Sequence, residues 1–466
     1  MRRAKIVCTL GPATSDQAMV EALIEAGMDC ARLNFSHGTH EAHQRMAELV
    51  RKCAAKAGRP VALLADLCGP KIRTGLFGKG PVELVPGRAF TLTARDVDGD
   101  VDRVSVTYKA LPQDVDAGDQ ILIDDGLLRL EVVAVEGPDI HCKVMVGGTL
   151  SGGKGINIPG RALSTAAMTA KDEADLAFAV GTLEVEYTAL SFVRSADDVR
   201  MAQALSRGTP VIAKLEKPEA ILNLADIADI ADGCMVARGD LGVELGAEKV
   251  PLVQKRIIRE INKRGKLVIT ATQMLDSMIR NPTPTRAEAA DVANAVLDGT
   301  DALMLSGETA AGRYPIEAVR MMDRIIREVE SAWLLEERVV KDVSLMIDWG
   351  FANAAAKAAA LMSYALPLKA IVVFTRDGRT ANLLSEFRPR APIVAVTPKR
   401  HVAARLALEW GVIPRVDVPP NNLSETMRIA SGILGREGLC HEGDAFAVVM
   451  GWPPEEGTNT VKLHRM

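Results

Sequence analysis

The chain has 466 residues, enough for roughly two to four domains. Apolar residues make up 48% and charged residues 25%, proportions that exclude wholesale disorder. Lys plus Arg total 56 against 60 Asp plus Glu, a net charge of −4, so no broad basic field exists to hold nucleic acid and an anionic ligand must be caught by local cations.

Residues 1–335 repeat one pattern, in which a β-branched run ends in polar residues and an amphipathic stretch follows. Eight such runs occur: KIVCTL (5–10), DCARLNF (29–35), VALLADL (61–67), YTALSFV (187–193), PVIAKLE (210–216), GCMVARG (233–239), LVITATQ (267–273) and ALMLSG (302–307). Between them, stretches such as 16–27 and 41–58 place apolar residues at i, i+3 and i+4, the spacing of a helix face. Pro251 and Pro315 stand where helices can begin. Alternating strand and helix predicts parallel pairing, and eight units predict a closed (β/α)8 TIM barrel.

Over a hundred residues separate the third run from the fourth, and much of that stretch alternates apolar and polar. The segments 82–85, 89–94, 103–108, 120–125, 127–135 and 141–146 are separated by Pro86-Gly87, Asp98-Gly99, Asp125-Gly126 and Gly137-Pro138. Short strands with regular turns predict a small all-β domain, hung over the barrel mouth because βα loops leave from that face. After residue 350, an Ala-rich helical run (352–365) leads to apolar runs at 369–375, 392–397 and 445–450, a separate α/β unit. The charged stretch from Glu336 to Asp342 reads as a linker. The expected division is a barrel of 1–70 and 164–335, an inserted lid of 71–163 and a C-terminal α/β domain of 345–466.

Barrel chemistry is found where strands end. Strand two offers Arg32, Asn34 and Ser36; strand three Asp66, then Lys71 and Arg73. Strand five offers Lys214 and Glu216, strand six Arg238 and Asp240, strand seven Thr272, and strand eight Ser306 and Glu308. Alternation puts Lys214 and Glu216 on one strand face. Glu216 and Asp240 suit a hard divalent cation such as Mg²⁺, which takes one or two carboxylates and leaves its other positions to substrate and water. With Arg32, Lys71, Arg73 and Lys214 in the same mouth, the substrate expected is phosphorylated and carboxylated, and the reaction phosphoryl transfer. The backbone N–H groups after Arg238 open a helix and suit a carboxylate. Glu308, with Thr309, reads equally well as a cap of the following helix.

Other signals are weaker. The seven cysteines are odd in number and lack CxxC spacing, which predicts free thiols in a reducing compartment. The apolar run after Arg2, Arg3 and Lys5 is too short for a signal peptide, and no run has the roughly 18 apolar residues of a membrane span. A cytoplasmic enzyme without membrane or nucleic-acid partners is expected. His37, His40 and His43 do not share one helix face, which argues against a metal there. GTLSGGKG (148–155) nearly spells a P-loop, but Gly155 replaces the Ser/Thr and no helical pattern follows.

Taken together, KIVCTLGPATS, ARLNFSHG, GPKIRTG, KGINIPG, AKLEKPEA, MVARGDLGVEL, ATQMLDSM and above all the long segment from Asn281 to Pro315 resemble pyruvate kinase, along residues 3–465. The resemblance implies a barrel, an inserted small β-barrel lid and a C-terminal regulatory domain. It implies transfer of the phosphoryl group of phosphoenolpyruvate to ADP, giving pyruvate and ATP, the last step of glycolysis. Glu216 and Asp240 resemble Mg²⁺ ligands, with Mn²⁺ as an alternative ion. Lys214 resembles the residue that stabilises charge on the transferring phosphoryl group and the enolate, and Thr272 the residue near the face where the enolate is protonated. Gly239 and Asp240 match backbone donors to the substrate carboxylate. Arg32 and Arg73 resemble phosphate contacts; Asn34, Phe35, Ser36 and His37 match residues lining the nucleotide phosphates; Lys154 matches a lysine on the nucleotide side. Ser306 and Glu308 resemble supports of the site. A homotetramer is implied.

Two departures from the family pattern stand out. Many members bind K⁺ through Asn34, Ser36, Asp66 and a following Thr or Ser, which here is Leu67. Those members carry Glu where this chain has Lys71, so a Lys71 ammonium is expected to replace the ion and K⁺ is not expected to be required. The segment TRDGRT (375–380) resembles a loop that binds a phosphorylated effector. Asp377, with Glu455 and Glu456 on a neighbouring loop, predicts repulsion of a bisphosphate and leaves a monophosphate or no effector. The competing readings are a barrel aldolase, using Lys214 as a Schiff base or the metal to make an enolate, and a metabolite sensor with a vestigial site.

Overall fold

A computed structural model describes all residues except 162, 163, 165, 334–349, 419, 421 and 454–456. The expected linker from Glu336 to Asp342, Glu455 and Glu456, and the expected domain limits at 163, 335 and 345 lie outside the described residues.

All eight runs form strands: Lys5–Thr9, Cys30–Asn34, Ala62–Asp66, Tyr187–Leu190, Val211–Leu215, Gly233–Ala237, Leu267–Ala271 and Ala302–Leu305. They are parallel and close into a barrel in which each strand pairs with its sequence neighbours and the first with the last. The strands are shorter than the apolar runs, most of all the fourth, which stops at Leu190. Beyond it Phe192 adopts a left-handed φ of 56° that turns the chain out of the sheet. The interior is filled by Val7, Leu64, Ile212, Met235, Ile269 and Met304, with Leu408 of the C-terminal unit among them. The helices begin as their sequences direct. Pro315 opens Pro315–Trp333, Pro251 stands in the first turn of Val250–Asn262, and Thr169 caps Ala170–Gly181 in a reciprocal box with Asp172.

The insertion is all-β. Six strands run in the order Ile156–Asn157, Gln120–Ile123, Leu128–Glu136, Asp139–Val146, Ala89–Thr93 and Arg103–Ser105. Single bridges from Arg73 to Gly155 and from Thr74 to Val106 join the two edges, so residues 73 and 74 close the sheet. A separate ribbon pairs Val82–Leu84 with Gly148–Leu150. The near-P-loop is therefore a β turn region, and Ile156–Asn157 and Gly148–Leu150 are strands that their short, Gly-flanked sequences conceal.

The C-terminal unit holds a five-stranded sheet in the order Val412–Val416, Ile393–Thr397, Ile371–Phe374, Ala445–Met450 and Thr460–Arg465, the last antiparallel. Its first and last strands escape a hydrophobicity reading because one carries Pro414 and Arg415 and the other Lys462, His464 and Arg465. This unit plugs the closed end of the barrel. Leu408 enters the interior, Lys5 Nζ donates to the Val412 carbonyl (2.6 Å), and Arg388 meets Asp301 (2.6 Å). No described helix is long and apolar enough to cross a membrane.

Candidate active site

The strand ends converge at the mouth around Lys214. Its ammonium lies 3.1 Å from Asp66 Oδ1 and 3.0 Å from Glu216 Oε1, and it donates to Ser191 Oγ at 2.7 Å. Arg32 Nε binds the other Asp66 oxygen at 2.6 Å, and its Nη1 donates to Thr9 Oγ1 at 3.0 Å. Asp66 and Glu216 are each 1% exposed. Burial would lower the Lys214 pKa, but the Asp66 and Glu216 charges outweigh it and hold the pKa above its ordinary value. Burial would raise Asp66, yet Lys214 and Arg32 keep it below the usual carboxylate range. Glu216 is pushed up by burial and by the charge of Asp240, against the pull of Lys214. Two neighbouring carboxylates form a hard-oxygen donor pair suited to a divalent cation. Among the described residues no group of three or more His, Cys, Asp or Glu is arranged to hold a metal ion, so the other positions around an ion fall to substrate and water.

The sequence reading passes over strands one and four, although both end in hydroxyl residues. Ser191 Oγ accepts from Lys214 and donates to the Leu67 carbonyl (2.7 Å). Thr9 holds Arg32, and the Phe192 N–H donates to Glu216 Oε2 (2.9 Å). The left-handed conformation of Phe192 accompanies that contact.

Strand seven ends in strain. Thr272 has φ 71° and Gln273 φ 51°, costly for a β-branched residue in particular. Arg238 holds the turn, with Nη2 on the Thr272 carbonyl (2.6 Å), Nε on the Ala271 carbonyl (3.1 Å) and Nη1 on Asp291 (2.7 Å). Arg238 is thereby spent on architecture. Thr272 Oγ1 accepts the Gly239 N–H at 2.8 Å, so the expected carboxylate donor is capped by the expected proton-side residue. With Thr309, Glu308 lies inside the helix Gly307–Ala310 and does more than cap it. Its two oxygens accept from Leu275 N (3.1 Å) and Ser306 N (2.7 Å), tying the ends of strands seven and eight together, while Thr309 Oγ1 donates to the Thr9 carbonyl. Ser306 Oγ is buried with no hydrogen-bond partner among the described residues.

Three expectations change. Lys71 does not face Asp66, because its ammonium pairs with Asp240 at 3.2 Å while Arg32 and Lys214 already occupy Asp66. Leu67 is 2% exposed and offers no side-chain oxygen to a monovalent ion, and its carbonyl accepts from Ser191. Phe35 is buried against His43 (4.3 Å between ring centroids), and its N–H and carbonyl are taken by the Asp66 carbonyl and Lys171, so it cannot present a group to a nucleotide. Around it, Asn34 Oδ1 accepts from Ser36 N (3.2 Å), and the His37 carbonyl accepts from His43 Nε2 (2.9 Å).

Arg73 and Lys154 remain on the lid. Arg73 Nη1 donates to the Gly153 carbonyl (3.0 Å), and Lys154 pairs with Asp124 (3.0 Å). The lid meets the mouth through Lys71 on Asp240 and through Asn157 Nδ2 on Glu244 Oε1 (2.9 Å). In the C-terminal unit Asp377 pairs with Arg379 at 2.6 Å.

A barrel whose mouth joins a carboxylate pair to buried cations beneath a β lid defines an enzyme of anionic substrates and divalent metal. Residues 1–319 match the family model for the pyruvate kinase barrel domain, and 353–464 that for the pyruvate kinase alpha/beta domain. Pyruvate kinase of Mycobacterium tuberculosis (strain H37Rv) is 47% identical over 471 residues, covering 100% of this chain and 98% of the relative. That of Geobacillus stearothermophilus is 44% identical, covering 99% and 80%, and that of Clostridium perfringens 41%, covering all of both. The chain belongs to the pyruvate kinase family.

Proposed function

We propose that the protein transfers the phosphoryl group of phosphoenolpyruvate to ADP in the barrel mouth. The observation that carries this reading is Lys214, a buried ammonium fixed by Asp66, Glu216 and Ser191 beside the Glu216/Asp240 pair. In the reaction the bond between phosphorus and the enol oxygen breaks. A β-phosphate oxygen of ADP takes the phosphorus, and the enolate left behind takes a proton at its methylene carbon. Lys214 stabilises the negative charge on the phosphoryl oxygens and the enolate, and Arg32 binds the phosphate. Losing one such donor costs about 10²–10³ in rate. Mg²⁺, or Mn²⁺, held by Glu216 and Asp240 would polarise substrate oxygens. The Gly239 and Asp240 N–H groups receive the substrate carboxylate, releasing the Thr272 hydroxyl to orient the water that delivers the proton. Arg73, Lys154, Asn34, Ser36 and His37 serve the nucleotide phosphates when the lid approaches. Ser306 and Glu308 hold the strand ends.

K⁺ is not required in this reading, since Asp66 already carries two internal cations and Leu67 has no side-chain oxygen. The same reading takes the barrel as 1–70 and 164–335, the lid as 71–163 and the regulatory unit as 345–466, and places the enzyme in the cytoplasm as a homotetramer. A phosphorylated effector fits the 150 Å³ cavity beside Thr375 and Arg376. An aldolase using Lys214 as a Schiff base is disfavoured, because imine formation needs the free amine and the two carboxylates stabilise the ammonium. The test is pyruvate formation from phosphoenolpyruvate, ADP and MgCl₂ in K⁺-free buffer, with KCl added midway. Turnover from the start is expected. Turnover only after KCl overturns K⁺ independence, and silence throughout overturns the reaction.

A further inference from the structure

Each carboxylate of the proposed metal pair carries a lysine in the substrate-free protein, Lys214 on Glu216 and Lys71 on Asp240. The two lysines are held differently. Lys214 sits on a barrel strand, and Asp66 and Ser191 anchor it as well. Lys71 lies at the root of the lid, and among the described residues Asp240 is its one ion-pair partner. Its stem is confined, since a Cβ added to Gly155 would stand 3.1 Å from Lys71 Cε. The ammonium is thus kept in the gap between the closing lid strand and the helix Arg238–Leu245.

We infer that Lys71 is a built-in competitor of the divalent cation, occupying Asp240 until the metal arrives, so that metal binding releases the lid root from the barrel. This rests on the reading of Glu216 and Asp240 as metal ligands. A dication on Asp240 repels the Lys71 ammonium held 3.2 Å from its Oδ1, whereas Asp66 and Ser191 keep Lys214 in place beside Glu216. Linkage then works in both directions. A neutral residue at position 71 strengthens metal binding, and metal loosens the lid only where Lys71 is present.

The test titrates Mn²⁺ calorimetrically into substrate-free, full-length wild-type, Lys71→Met, Lys71→Gln and Asp240→Asn proteins. Amide hydrogen exchange at residues 72–74 is followed with and without Mn²⁺. Both position-71 variants are expected to bind Mn²⁺ about three- to five-fold more tightly, the scale of a partly exposed ion pair. Mn²⁺ is expected to speed exchange at 72–74 in the wild type and not in the position-71 variants. Unchanged or weaker Mn²⁺ binding by the folded position-71 variants overturns the inference. Undiminished binding by Asp240→Asn instead overturns the metal reading on which it rests.

Discussion

Both ends of the barrel bury a knot of charge, and the two are balanced in opposite senses. At the mouth Asp66 and Glu216 share the Lys214 ammonium, Asp66 binds Arg32 as well, and Glu308 is held by backbone N–H groups. At the closed end Asp301, Glu386 and Glu409 gather around Arg388, which pairs with Asp301 and lies 4.9 Å over the Trp410 ring. Neither oxygen of Glu386 has a hydrogen-bond partner among the described residues. Burial pushes the pKa of all three carboxyls up, Glu409 to about 7, helped there by the Asp301 charge and opposed by Asn382, Arg405 and Tyr187. A carboxylate excess is relieved by keeping protons, which suits a permanent seal between barrel and C-terminal unit. A mouth in which Glu216 and Asp240 each carry a lysine is ready to receive a phosphate or to exchange a lysine for a metal.

The contrast can be broken most forcefully at the closed end. Arg388→Met leaves Asp301 buried without its partner and is expected to cost about 3–5 kcal/mol of stability, read by denaturant unfolding. The pH dependence sharpens the same point. A raised carboxyl pKa means that the native state binds a proton the unfolded chain has released. The stabilisation from Glu409 is therefore complete below about pH 4.5 and fades as pH rises through about 7. Between pH 5 and 8 the wild type is expected to lose about 1–3 kcal/mol more stability than Glu409→Gln. Identical pH profiles would show that Glu409 is already ionised. A smaller effect is expected outside both clusters. Thr169→Ala breaks the capping box with Asp172, whose other oxygen accepts the Gly69 N–H (2.9 Å) at the root of the lid. About 1 kcal/mol of stability should go, visible as a lower melting temperature.

The eight barrel strands were legible because each is a short, largely buried run dominated by apolar residues, with few charged residues inside. Their ends were legible for the same reason, since a Lys, Asp or Glu following such a run has few structural uses. Thr9 and Ser191 were equally visible and were passed over because a hydroxyl at a strand end is ordinary. The position of Lys71 was not readable, because it depends on where the lid stands over the barrel. Nor was the closed-end cluster, in which Asp301 and Arg388 are 87 positions apart (388 − 301) and resemble solvated charges in sequence. The strands Val412–Val416 and Thr460–Arg465 were hidden because edge strands admit charged residues that break the apolar run.

The most direct test measures pyruvate formation from phosphoenolpyruvate, ADP and MgCl₂ by wild-type, Lys214→Met and Arg388→Met proteins, with rates divided by the folded fraction of each. The account predicts that kcat per folded molecule falls about 10²–10³-fold for Lys214→Met and stays within about threefold for Arg388→Met. Equal losses at the two ends, or full activity in Lys214→Met, would contradict the assignment of chemistry to the mouth and of docking to the closed end.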